Sequence, residues 1–229
     1  MNDRNDYDPL SADSTATNEP RIPLEVGEIT DEMREFLLRI FEYGSLNDLS
    51  DRSEATGYKP TMSGLQYEDL TIILASAPEI LRAMVHHPKL FSLITDIGIQ
   101  LTGYGVLSPR ERELAILRVA WLCQSPYQWG EHVLIGKKTG INNEEIERIT
   151  QGSGVSGWTE HEQAIVRAAE ELHGHANISD ATWRILSKRF NSQQLLELIV
   201  VIGQYQTNAY FVNSMKFQLL SGNQGLNAR

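Results

Sequence analysis

Residues 108–140 read SPRERELAILRVAWLCQSPYQWGEHVLIGKKTG. One local grammar occurs twice in this stretch. Ser108 stands at a helix N-cap, Pro109 at the first helical position and Glu111 three after the cap. That is a capping box, with a proline where its missing N–H has no partner to lose. Ser125, Pro126 and Gln128 repeat the arrangement. Lys137 and Lys138 suit the negative end of the second helix, and Gly140 stops it. A very short turn joins the two segments, so they are predicted to form an antiparallel αα-hairpin.

Outward from the hairpin, the chain reads as helix after helix. Thr30 caps a segment with Phe36, Leu37, Ile40 and Phe41 at helical spacing, ended by Gly44. Residues 67–77 and 78–87 are separated by Pro78, and PKLFSLITDIGIQLTG follows with a broad apolar face up to Gly103. After the hairpin, Thr159 and Glu162 make a third capping box. Ser179 caps DATWRILSKRF, and Ser192 is placed as cap of the long last helix. No strand has comparable support, so the predicted class is all-α. Glu113 and Glu197 each head an apolar helix, a faint internal echo.

Two segments break the pattern. Residues 1–20 are rich in Asp, Asn, Ser and Thr and predict a disordered tail ahead of one domain over 21–229. Residues 44–66 are polar and turn-rich and form an insertion, either a solvated loop or a lid.

The whole-chain numbers exclude some functions. The formal net charge is −10 over 229 residues, and no Lys/Arg stripe offsets it. Such a surface repels phosphate backbones and anionic membranes. No apolar run is long enough to span a bilayer, and no secretory h-region is seen. With one cysteine, Cys123, no intrachain disulfide can form, which suits a cytoplasmic location. No histidine spacing suggests a metal site.

The chemistry-bearing residues lie in the hairpin. Gln128 and His132 are four apart and share a face, with Ser125 near it at the helix start. Glu113 lies back from the turn about as far as His132 lies beyond it, within reach of long side chains. A carboxylate beside an imidazole fixes its tautomer and raises its basicity, so the two could be a catalytic pair. They could equally be a buried structural pair. Tyr127 and Trp129 suit a core, an interface or the wall of a pocket. Arg112 and Arg118 suit either a substrate carboxylate or ordinary ion pairs. Tyr205 and Asn208, in the last helix, could face the same pocket or a subunit interface.

The run from Leu107 to Ile146, with RIPL, HHPKLF and the last helix around it, resembles the carboxymuconolactone decarboxylase family, which includes the alkylhydroperoxidase D proteins. The resemblance implies an alkylhydroperoxidase D-like helical fold. Peroxidase members carry Glu, then Cys-x-x-Cys, then His. Here the Glu falls on Glu113 and the His on His132, while the cysteine positions fall on Ser125 and Gln128. Dithiol chemistry needs an attacking and a resolving thiol, so peroxidase activity of that kind is not expected. The decarboxylase members imply proton transfer on a small carboxylate or lactone, without metal or organic cofactor. His132 would be the general acid/base and Glu113 its orienting partner. Arg118 or Arg112 would pair with a carboxylate, and Tyr127, Trp129, Gln128 and Ser125 would line the site. Homotrimers or hexamers, with sites near subunit contacts, are implied as well. The alternative is a non-catalytic binding or assembly protein that keeps the fold.

Overall fold

The computed structural model describes residues 19–46 and 67–229. Almost all of the expected tail, and the expected insertion beyond Leu46, lie outside these residues. Among the described residues there is no strand, and the helices run α1 (Asp31–Leu46), α2 (Tyr67–Ser76), α3 (Glu79–Met84), α4 (Pro88–Gly103), α5 (Pro109–Leu122), α6 (Pro126–Lys138), α7 (Asn143–Gln151), α8 (Glu160–His175), α9 (Asp180–Leu186) and α10 (Ser192–Met215). Over the described residues the fold is all-α. No described helix is long and apolar enough to cross a membrane.

Capping sets most of the starts. The side chains of Ser108, Asn142, Thr159 and Asn191 each accept from the third helical N–H, and their own backbone N–H donates back to that residue's side chain, closing a box. Ser179 accepts from Thr182 N–H at the start of α9. Three local expectations change. The cap of α10 is Asn191, not Ser192, because Gln194 stands three after Asn191 and closes the box with it. Helix α1 passes through Gly44 to Leu46, since an interior glycine costs a helix only about 1 kcal/mol. Ser125 is the N-cap of α6, but its hydroxyl makes no capping bond.

Helix α5 is the axis of the molecule. Every residue from Arg112 to Ala120 is buried, polar ones included. A helix covered on all sides must have neighbours on all sides, and α6, α8, α10 and α7 supply them. Leu114, Ile116, Leu117 and Val119 form the middle of the main core with Trp129, Ile146, Ile149, Ile165 and Leu198. Each such side chain contributes about 1.5–3 kcal/mol by leaving water. A second cluster joins α1 to α2 and the end of α3 through Phe36, Leu37, Leu70, Leu74 and Val85. A third ties the incoming segment to the end of α10 through Leu24, Ala83, Val212 and Phe217. Arg21 N–H donates to Met215 O in the same region.

Ion pairs join the layers around α5. Arg110 binds Glu145 of α7 and, at 2.8 Å, Glu162 of α8. These neighbours raise the guanidinium's affinity for its proton, chiefly through the bond to Glu145. The chain after α10 turns back over α6. Asn223 Nδ2 donates to Tyr127 O and Glu131 Oε1, and Trp129 Nε1 donates to Ala228 O at 3.1 Å.

Candidate active site

The α5–α6 hairpin turns through Gln124, whose φ of 46° lies in the left-handed region that side chains rarely adopt. Ser125 N–H donates to Ala120 O across the turn. This tight reversal brings α6 back along α5 and places His132 against Glu113. His132 Nδ1 and Glu113 Oε2 are 2.7 Å apart. The Glu113 side chain is 2% exposed and the His132 side chain 12%. The carboxylate can only accept, so Nδ1 carries a proton and Nε2 is the ring's remaining proton site. No bond to Nε2 is made among the described residues. Tyr205 of α10 meets the imidazole edge-on, with ring centroids 4.9 Å apart.

Arg112 completes this group. Its Nε lies 3.8 Å from Glu113 Oε1, and its Nη1 donates to Leu101 O at 3.4 Å. Ser125 and Gln128 are both buried, and neither Ser125 Oγ nor Gln128 Nε2 has a hydrogen-bond partner among the described residues. The arrangement can take up or release a proton at Nε2 and offers a cation close by.

Other expected site residues have different surroundings. Arg118 pairs with Glu170 at 2.9 Å and donates to Ile149 O and Thr150 O. It stands five residues after Glu113, roughly 140° around the helix, so it does not join the pair. Trp129 is fully buried in the main core, tilted against Trp121. Tyr127 packs on the third cluster. Glu197, the apparent counterpart of Glu113, accepts Val106 N–H and Leu107 N–H and so fixes a loop. Asn208 Oδ1 accepts from Gln204 Nε2.

The only cysteine is a free thiol, with Sγ 3.9 Å from His173 Nδ1. Burial pushes the Cys123 thiol up. A further polar group had no sequence signal. His161 Nε2 lies 3.0 Å from Glu111 Oε1, with its ring edge-on to Phe190. The bond to His161, then those to Ser108, hold Glu111 down at about 2. Among the described residues no cluster of three or more His, Cys, Asp or Glu could hold a metal ion.

Residues 88–171, which contain the whole hairpin, match the model of the carboxymuconolactone decarboxylase family. Over those residues the chain is similar to that family, and its fold is alkylhydroperoxidase D-like. An uncharacterised peroxidase-related protein from Silicibacter superposes with a TM-score of 0.65 at 16% identity, over 93% of this chain and 97% of its own. An uncharacterised peroxidase-related protein from Ralstonia eutropha, described as an alkylhydroperoxidase AhpD core, gives 0.64 at 13% identity, over 92% and 100%. An Agrobacterium tumefaciens protein of unknown function, suggested to be an antioxidant defence AhpD, gives 0.54 at 18% identity, over 60% and 95%. At these identities the likeness concerns the fold. No curated protein matches.

Proposed function

We propose that this protein is a cofactor-free acid–base catalyst, a lyase or isomerase acting on a small carboxylate or lactone. The observation that carries this is the 2.7 Å contact between Glu113 and His132, which leaves Nε2 unbonded at the edge of the core. Glu113 orients the ring, and Nε2 moves the proton. Arg112 is the better placed of the two arginines to meet a substrate carboxylate, since Arg118 is already engaged with Glu170.

Peroxide reduction, suggested by the names of the neighbours, lacks support in this chain. The dithiol positions hold Ser125 and Gln128, and the Cys123 thiol is raised, not activated. A non-catalytic binding protein would retain the same contact and show ligand binding without turnover.

The test is a thermal-shift screen of small carboxylates and lactones on the wild type and His132→Ala, followed by turnover assays on each hit. A ligand at a hundred times its dissociation constant adds about 2.7 kcal/mol of stability. Turnover falling about 10²–10⁴-fold in His132→Ala is expected. Full turnover in that variant would remove His132 from the chemistry.

A further inference from the structure

Helix α6 differs from its neighbours at its first turn. Four helices close a reciprocal box between the cap and the third residue after it. Helix α6 has residues suited to a fifth, Ser125 and Gln128, and leaves it open. The two side chains do not turn to water instead. Ser125 is 0% exposed and Gln128 5%, and Ser125 Oγ and Gln128 Nε2 are buried without a partner among the described residues. A buried donor without an acceptor is costly, and native proteins keep few of them. Three residues apart at a helix start, the two share a face, and Gln128 is one turn before His132 on that face. Arg112 Nε, beside Glu113, is a third such atom. Buried donors without acceptors, on the helix face that carries a proton-transfer base one turn further on, suit an oxygen that becomes negative during reaction.

We propose that Ser125 and Gln128 form a two-donor cradle for the carbonyl oxygen of an enolisable substrate. This rests on the reading of His132 as the base. His132 Nε2 takes a proton from the carbon next to the carbonyl. The C–H electron pair becomes a C=C bond, and the C=O π pair moves onto oxygen. Ser125 O–H and Gln128 Nε2–H donate to that enolate oxygen. Return of the proton from His132, to the same carbon or to one conjugated with it, restores the carbonyl. No oxidant or reductant enters. The substrates selected are therefore keto acids and unsaturated or enolisable lactones, not simple carboxylates.

The probe is 4-nitrophenol, whose phenolate oxygen imitates an enolate and whose ionised form is read by its absorbance. The full chain is expected to bind it as the phenolate. Ser125→Ala and Gln128→Leu should each weaken that binding by at least about tenfold, the weight of one hydrogen bond to a charged oxygen. Among the described residues neither Ser125 Oγ nor Gln128 Nε2 makes a bond that its substitution would remove. Binding unchanged in both variants, or no phenolate binding by the wild type, overturns the cradle. His132→Gln separates the two claims. It should keep phenolate binding and lose exchange of the α-hydrogens of levulinate or butyrolactone in deuterium oxide. Exchange that persists in His132→Gln overturns the base and leaves the phenolate result to judge the cradle alone.

Discussion

Glu113 and Arg118 are both buried ionic residues on one helix, yet their partners assign them opposite tasks. Glu113 meets a histidine with a free nitrogen, whereas Arg118 ends on Glu170 and two carbonyls. Arg118→Met should therefore lower stability by about 2 kcal/mol in urea unfolding and leave ligand binding at His132 unaltered. A second residue-scale prediction concerns acid. Glu111 is held at about 2 against an ordinary 4.5, first through His161 and then through Ser108. A depressed carboxylate adds stability that is fully present above its unfolded value and is lost as pH falls through the folded one. Thermal melts of wild type and Glu111→Gln should differ at neutral pH and converge as pH drops from 4.5 towards 2. Glu113 and His132 were legible in the sequence because a short turn leaves hairpin partners little freedom. His161 was not, since its partner lies 50 residues away, beyond any local pattern.

At the scale of elements, capping was the most readable feature, because a box is complete within four residues. The error at α10 came from two adjacent capable residues, Asn191 and Ser192, which only the position of Gln194 separates. The segment laid over α6 left no trace in the local pattern. Its fit depends on Gly130, where a Cβ would stand 1.7 Å from Asn223 Oδ1. Gly130→Ala should push Asn223 off the helix, cost about 1–3 kcal/mol and speed hydrogen exchange at the Gly225 amide, which donates to Asn223 Oδ1. The open first turn of α6 supports another prediction. The double variant Ser125→Cys, Gln128→Cys restores the thiol spacing of the family's peroxidases. It should consume cumene hydroperoxide in the presence of a dithiol reductant, with neither single variant doing so. Equal inactivity of all three would show that the spacing alone does not make the site redox-active.

At the scale of the molecule, the amphipathic pattern predicted the class of fold but not which apolar faces would be covered. Helices α4 and α10 touch, and Leu93, Ile97, Leu196, Val200 and Tyr210 remain exposed on them. We take this as support for self-association. Sedimentation velocity should show an oligomer that Leu93→Lys with Leu196→Lys shifts towards monomer. An unchanged distribution would place the contact elsewhere. The separation of Glu113 from His132, 19 residues, also bears on the order of folding. Closing so short a loop takes well under a microsecond, whereas docking the distant α10, which brings Tyr205 to the imidazole, waits for the global fold. In refolding, the Glu113–His132 contact should therefore form before Tyr205 reaches the imidazole.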